Sequence, residues 1–266
     1  MRNEAREEAA QAATMNQERA RTGYLYVLSL GIGLLIWELV AAQFSRVVFS
    51  PPTAVAKHLY LHIRSLELPV LLWYSLGHTL LGYLLAVAVA LPLGFLMGRS
   101  EKIFVMFDPV VSAIYSIPTV AFVPFLVIWF GLFFPARAAL VFIMCVFDML
   151  VTVSTGARNV ERSLIDVGRS FGASRAMLLR KVLLPASLPF LFTALRIGMV
   201  RAVIAMITAE LFFAAVNLGK YMQAAANRFD SAGLLAVLTL LAVLGLLVQE
   251  GLKALEARLL PWHVRH

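Results

Sequence analysis

Six long apolar runs constrain the fold of this chain more than any other feature of its sequence. They lie at about 23–44, 73–98, 103–133, 137–156, 188–215 and 232–256, and each is close to the roughly 20 residues that a helix needs to cross a bilayer. Because hydrocarbon offers no hydrogen-bond partner, the backbone groups of each run must be paired within that run, as they are in a helix. The sequence therefore predicts an all-α, polytopic bundle of six transmembrane helices.

Composition excludes the soluble classes of protein. Hydrophobic residues make up 61% of the 266 and charged residues only 14%, whereas a soluble domain is about half apolar and a quarter charged. The net charge of +8 does not indicate nucleic-acid binding, because no recognition motif is present and the basic residues are not interleaved with aromatic ones. We expect membrane lipid around the chain and no nucleic-acid partner.

The distribution of basic residues predicts how the bundle is oriented. With the N-terminus inside, fifteen of the 23 Lys and Arg residues fall in cytoplasmic segments and six on the opposite side. This bias is typical of a bundle with both termini in the cytoplasm. The predicted organisation is a polar cytoplasmic tail (1–22), a transmembrane domain (23–256) and a second cytoplasmic tail (257–266).

The cytoplasmic segment 157–187 is too long for a simple connection between helices and has a pattern of its own. Apolar residues from Leu164 to Phe171 predict a short amphipathic helix that Gly172 ends in a left-handed conformation. Ser174 is a candidate N-cap for a second helix over 175–183, which Pro185 would end. Such a helix–Gly–helix elbow is suited to docking into a groove on a soluble partner.

The elbow also carries a motif. Asp166-Val167-Gly168, three residues, Gly172, nine residues and Val182-Leu183-Leu184-Pro185 resemble the EAA loop of ABC importer permeases, which reads Glu-Ala-Ala, three residues, Gly, nine residues, Ile, any residue, Leu-Pro. The residues that this resemblance implies in coupling to an ATPase are Asp166, Val167, Gly168, Phe171, Gly172, Ala173, Ser174, Arg175, Leu184 and Pro185.

The resemblance extends over most of the chain from residue 49 onward. The residues that match permeases of the nitrate, sulfonate, taurine and bicarbonate group are Phe49-Ser50-Pro51-Pro52, Asp108-Pro109, Ile117-Pro118, Ala121, Pro124, Phe130-Gly131, Arg196 and Glu210. It implies a type I importer permease with a MetI-like core in the bacterial inner (plasma) membrane. It also implies a small solute as cargo, an organic or inorganic anion such as a sulfonate, taurine or nitrate.

The same resemblance implies a transport subunit that is not itself an enzyme. Its expected partners are a second copy of the permease, ABC ATPase subunits and an extracytoplasmic solute-binding protein. The chain contains no G-x-x-x-x-G-K-[ST] phosphate loop, so ATP and Mg²⁺ are expected on the partner ATPase. No cofactor, metal or catalytic residue is expected in this chain.

Five residues within the apolar runs are candidates for the translocation path: Pro118, Pro124, Asp148, Thr152 and Glu210. Charged groups inside a membrane are costly and are by default functional hypotheses. The structural alternative is that the two acids pair with Arg196 or Arg201 and fix helix packing. The related permeases often have Pro and then Asn where this chain has Asp148 and Thr152, and an unpaired carboxylate there would repel a simple anion.

Two other classes of protein remain as alternatives. An ion-coupled secondary transporter or channel would use the intramembrane acids but would need no cytoplasmic elbow. An intramembrane enzyme would need a constellation of catalytic side chains within the spans, and His78 has no obvious partner there. His58 and His62 lie four residues apart, but no third metal ligand accompanies them.

Overall fold

A computed structural model of the chain describes residues 24–45, 47–213 and 216–260. The predicted N-terminal tail and most of the predicted C-terminal tail lie outside these residues. The helices are α1 (Tyr24–Ala41), α2 (Pro52–Arg64), α3 (Glu67–Arg99), α4 (Glu101–Tyr115), α5 (Val123–Phe130), α6 (Phe134–Arg158), α7 (Arg162–Ser170), α8 (Arg175–Leu178), α9 (Leu184–Phe212), α10 (Asn217–Asn227) and α11 (Ser231–Leu259).

The predicted all-α membrane architecture is confirmed. Within the described residues, α1, α3, α6, α11 and the continuous stretch Arg175–Phe212 are each long and apolar enough to cross a membrane. The pair α4 and α5 counts as a sixth span if its two bent halves are taken together. The apolar runs of the sequence thus correspond to five whole spans and one broken span.

The third run breaks where its prolines predict a break or kink. Helix α4 ends at Tyr115, a 3₁₀ turn follows over Thr119–Phe122, and the two parts of the span lie at 90° to each other. Pro118 precedes the 3₁₀ turn, and Pro124 stands in the first turn of α5, where the missing N–H removes no helical hydrogen bond. Pro109 lies inside α4 without ending it.

The described residues divide into two compact units. The first consists of the described residues up to Leu61 together with Ala225–Ala236. Within it, the Glu38 carboxylate of α1 accepts hydrogen bonds from the Thr53 hydroxyl (2.8 Å) and the Thr53 backbone N–H (3.2 Å). An unpaired backbone N–H is thereby satisfied at the start of α2. The acid in the first span therefore has a local structural role.

The second unit contains a three-helix core of α3, α6 and α9. Helix α3 approaches α6 closely at Gly82, Gly94 and Gly98. A Cβ atom on Gly94 would lie 2.9 Å from the Leu150 carbonyl oxygen, and one on Gly98 would lie 2.5 Å from the Ala157 Cβ. Small residues are common where membrane helices pack, because they let the backbones come together.

The N-terminal end of α9 differs from the prediction. Pro185 does not end the second elbow helix, because α8 passes through a π-helical turn at Leu179–Leu183 directly into α9. The Leu184 N–H bonds to the Leu179 carbonyl five residues back. A proline cannot donate a backbone hydrogen bond and crowds the preceding turn. Pro185 occupies the first turn after the wider π-helical turn, so the chain stays helical through it.

The contact between α3 and α6 can be tested with paired glycine substitutions. A Cβ on Gly82 would overlap the Ala138 carbonyl oxygen and lie 2.7 Å from the Val141 Cβ, whereas nothing lies within 4 Å at Gly245 of α11. We expect Gly82→Ala to destabilise the protein by about 1–3 kcal/mol through overpacking. Gly245→Ala should be neutral or stabilise it by up to about 1 kcal/mol. Thermal unfolding in detergent measures both, and equal stabilities would contradict the close packing.

Candidate functional site

The predicted elbow begins with a short helix that a glycine ends. Helix α7 ends at Ser170, and Gly172 follows with φ of 72°. The Gly172 N–H bonds to the Arg169 carbonyl (2.8 Å) and the Ala173 N–H to the Gly168 carbonyl (3.1 Å). These two bonds form a Schellman motif, which needs the left-handed conformation that glycine adopts without steric cost. Gly172 therefore ends the helix as the sequence predicts.

The second arm of the elbow begins at Ser174 and packs against the first. The Ser174 hydroxyl accepts a hydrogen bond from the Met177 N–H at 3.3 Å, which is the predicted N-cap. Across the elbow, a Cβ on Gly168 would lie 2.6 Å from the Leu178 side chain, which is buried. Gly168 is thus the point where the two arms touch, and its lack of a side chain sets the angle between them.

One face of α7 presents apolar side chains that the described part of the chain leaves uncovered. Leu164, Val167 and Phe171 are all exposed, and 87% of Phe171 is accessible. The spacing of three and four residues places these three side chains on one side of a helix. Exposed anchors at this spacing are typical of a helix that enters an apolar groove on another protein.

The base of the elbow is the last turn of α6, just before α7. Two arginines that no sequence motif marks fix it to the bundle. Arg158 lies over the Phe104 ring at 3.9 Å and forms an ion pair with Glu101 at 3.3 Å. Arg99 donates to the Ala157 carbonyl at 3.1 Å. These contacts join the start of α4 and the end of α3 to the last turn of α6. Movement of the elbow would therefore be transmitted to three helices.

A second feature lies at the break between α4 and α5. A cavity of about 350 Å³ opens there, bounded by the break itself, by α6 and by α9. Among its lining residues are Pro118 and Asp148, two of the predicted path residues, together with Tyr115 and Arg201. The broken helix thus borders a cavity that is lined by both a carboxylate and a guanidinium group.

Three polar side chains of this cavity, those of Asp148, Arg201 and Tyr115, are bonded to one another. Arg201 Nε lies 2.7 Å from Asp148 Oδ2, and Arg201 Nη2 lies 3.4 Å from Asp148 Oδ1. The Tyr115 hydroxyl donates to Asp148 Oδ1 at 3.0 Å. Of the two partners that the sequence offered for Asp148, the structure selects Arg201. Tyr115 completes the cluster, although nothing in the local sequence pattern distinguishes it.

The remaining predicted path residues lie outside this cluster. Thr152 is one turn from Asp148 on α6, and its hydroxyl donates to the Asp148 backbone carbonyl at 2.7 Å. Pro124 belongs to the first turn of α5. Glu210 is on α9 but does not line the cavity. The structure therefore brings together Pro118 and Asp148, with Thr152 adjacent, and separates Pro124 and Glu210 from them.

Glu210 is fully buried and joins the end of α9 to α10. Its carboxylate accepts from the Asn217 side chain (2.9 Å) and from the Gly219 N–H (3.0 Å), and His78 of α3 lies 3.9 Å away. A Cβ on Gly219 would lie 2.6 Å from the Glu210 Cβ. Neither Arg196 nor Arg201 is its partner, because Arg196 pairs with Glu256 and Arg201 with Asp148. These contacts give Glu210 a structural role, because they fix α10 against the end of α9.

His62 makes ordinary polar and ring contacts. His62 Nδ1 lies 2.7 Å from Glu67, and its ring packs edge-on against Tyr221. Across residues 24–45, 47–213 and 216–260, no three His, Cys, Asp or Glu side chains come together in a group that could hold a metal ion.

The Asp148–Arg201 pair makes a testable contribution to stability. Arg201→Gln would leave the Asp148 carboxylate without its cation in a low-dielectric setting. We expect a loss of about 1–3 kcal/mol, between the values typical of exposed and of buried pairs, measured as thermal unfolding in detergent. Asp148→Asn combined with Arg201→Gln should restore most of it, because no unpaired charge remains.

The matched control is the exposed pair of Lys253 and Glu250, which are three residues apart on α11. Lys253→Gln should change stability by less than about 0.5 kcal/mol. If Arg201→Gln lowered stability no more than Lys253→Gln does, the Asp148–Arg201 pair would not contribute measurably to stability.

Comparison with known proteins assigns the chain to a family. Residues 90–261 match the model of the binding-protein-dependent transport system inner membrane component, which is more than half of the chain. The taurine transport system permease protein TauC of Escherichia coli K12 is 31% identical over 246 residues, covering 90% of each chain. A putative aliphatic sulfonates transport permease protein, SsuC of Bacillus subtilis, is 27% identical and covers 95% of this chain and 93% of its own.

Solved structures agree on the fold. A chain of the MetNI methionine ABC transporter in an inward-facing conformation superposes with a TM-score of 0.62 at 22% identity, covering 72% of this chain and 95% of its own. A chain of an amino acid ABC transporter gives a TM-score of 0.61 at 20% identity, covering 75% and 97%. The chain therefore belongs to the binding-protein-dependent transport system inner membrane components, and it is a multi-pass permease subunit of an ABC importer whose ATPase is a separate subunit.

Proposed function

We propose that the elbow formed by α7, Gly172 and α8 is the surface on which the ATPase subunits dock. The observation that carries this proposal is the exposed apolar face of α7, with Phe171 at its end. An apolar face of this kind is costly in water and is usually covered by a partner. The basic residues Arg175, Arg180 and Lys181 follow it in the sequence and favour a partner with acidic residues at the rim of its groove.

The elbow converts ATP hydrolysis into helix movement. ATP and Mg²⁺ bind to the ATPase subunits, and closure of the two ATPases displaces the elbow. Because Arg158 and Arg99 tie the base of the elbow to the neighbouring helices, that displacement rocks α3, α4 and α6 together. The path then opens alternately to the two sides of the membrane.

The orientation of the chain follows from its charges. Both termini and the elbow lie in the cytoplasm, since fifteen of the 23 basic residues belong to the segments that this arrangement places inside. The segment between α10 and α11 then faces outward, where an extracytoplasmic solute-binding protein delivers the cargo. Membrane lipid covers the apolar faces of the spans.

The path runs along the cavity at the break between α4 and α5. Pro118 and Asp148 line it, Thr152 lies one turn from Asp148 on α6, and Arg201 supplies a cation. The cavity is open on one side, and a second copy of the permease facing it would enclose the route. Glu210 and Pro124 support this route by fixing α10 against α9 and by starting α5, rather than by contacting the cargo.

The cargo is a small solute that carries an acidic group. Support comes from the relatives, which are named for the transport of taurine, aliphatic sulfonates and nitrate. Arg201 in the cavity offers the guanidinium donors that bind oxyanions well.

Phe171→Asp tests the docking surface. The side chain is exposed, so the permease should fold normally, but a carboxylate would enter the apolar groove of the ATPase. We expect co-purification of the ATPase in detergent to fall about tenfold or more, as for loss of an apolar anchor at the centre of an interface. ATP-driven uptake should fall with it.

Phe229→Asp is the matched control, because Phe229 is similarly exposed but lies between α10 and α11. It should leave ATPase binding unchanged. Undiminished ATPase binding by Phe171→Asp would rule out the elbow as the docking surface.

A further inference from the structure

We propose that Asp148, Arg201 and Tyr115 form a selectivity site that admits zwitterionic solutes and disfavours simple anions. The cargo's cationic group would bind to Asp148 and its anionic group to Arg201, in exchange for the ion pair that the two side chains form in the empty cavity. This inference rests on the proposed function, namely that the cavity at the broken span is part of the translocation path.

The first observation is that the Asp148 carboxylate has two partners in the protein, whereas most N–H donors of Arg201 have none within the described residues. The Asp148 carboxylate accepts from both Arg201 and Tyr115. A guanidinium carries five N–H donors, and the two contacts to Asp148 engage two of them. Within the described residues, the other three have no acceptor. Arg201 can therefore receive an oxyanion from the cavity while part of the pair is still formed.

The second observation is exposure. The Arg201 side chain is 45% exposed and that of Asp148 12%, and both line the cavity. Glu210, by contrast, is fully buried and bonded to the protein. A pair that served only to hold helices together would need no access to the cavity. In this pair the more exposed Arg201 guanidinium faces the cavity, and the Asp148 carboxylate that it contacts is largely covered.

The third argument is charge balance. Asp148 and Arg201 have formal charges that cancel, so the cavity presents a dipole and not a net positive potential. A simple anion attracted by the guanidinium is repelled by a carboxylate only a few ångströms further away, and the two Coulomb energies largely offset each other. A zwitterion has a dipole of its own and satisfies both groups at once. The site therefore complements a net-neutral solute better than an anion.

Exchange of partners also keeps charges paired throughout the cycle. A charged side chain left alone in a membrane protein is costly. In the empty cavity each group neutralises the other, and in the occupied cavity each is neutralised by one end of the solute. The Tyr115 hydroxyl can stay on Asp148 in both states and hold the carboxylate in position. The cavity of about 350 Å³ has room for a solute of a few heavy atoms.

Two probes that differ in a single group test the proposal: 2-aminoethanesulfonate, a zwitterion, and 2-hydroxyethanesulfonate, an anion of nearly the same shape. The permease is reconstituted in proteoliposomes with its ATPase and binding protein, and uptake of each labelled probe is measured together with ATP hydrolysis. We expect the wild-type importer to take up the amino compound. Asp148→Asn should lower the ratio of amino to hydroxy uptake about tenfold or more, the size expected for one charge-assisted hydrogen bond.

The ratio is the decisive quantity, because the binding protein is the same for both permeases and a purely structural ion pair would lower the uptake of both probes equally. Glu38→Gln, at an acid outside the cavity, should leave the ratio unchanged. Equal loss of both probes, an unchanged ratio, or uptake of neither probe by the wild type would overturn the proposal. Failure of the proposed path itself would differ, since Asp148→Asn would then leave the uptake of both probes at the wild-type level.

Discussion

The close approach of α3 and α6 is the contact on which the rest of the structure depends. At Gly82, Gly94 and Gly98 the α3 backbone lies against α6 with no α3 side chain between them. In lipid there is little hydrophobic force to bring helices together, so association relies on close packing of this kind. With α9 packed against the same two helices, the core forms a rigid frame. The broken span and the elbow are both attached to it.

The two candidate sites use this frame in different ways. The cavity exists because the span that contains α4 and α5 is broken beside α6, where an intact helix would fill the space. Polar groups are tolerated at such a break because they bond to one another and line a cavity, as Asp148 and Arg201 do. The elbow connects the C-terminal end of α6 to the N-terminal end of α9, so a force applied to Phe171 acts on two of the three core helices.

Much of the architecture could be predicted because it depends on short-range patterns. Spans follow from apolar length, the break from Pro118, and the elbow from Gly172 and Ser174, whose roles are decided by neighbours within four residues. The prediction at Pro185 was wrong because a proline ends a helix only when the preceding turn cannot widen. Here a π-helical turn over Leu179–Leu183 accommodates it.

The partners of buried charges could not be predicted in the same way. Asp148 is 33 residues from Tyr115 and 53 from Arg201, and only the packing of the helices decides which groups meet. The sequence offered Arg196 and Arg201 as equivalent partners for either acid. In the structure Glu210 bonds to a backbone N–H and an amide instead. The partners of these acids cannot be predicted from the sequence, because their positions follow neither the helical repeat nor a motif.

Amide hydrogen exchange of the detergent-purified permease, with and without its ATPase subunits, tests the coupling role of the elbow most directly. If the ATPase docks on the elbow, exchange should slow within residues 162–178 and remain unchanged in α1, which lies far from this segment in the sequence. If exchange in residues 162–178 is unaffected by the ATPase, while another segment becomes protected, the elbow is not the coupling surface.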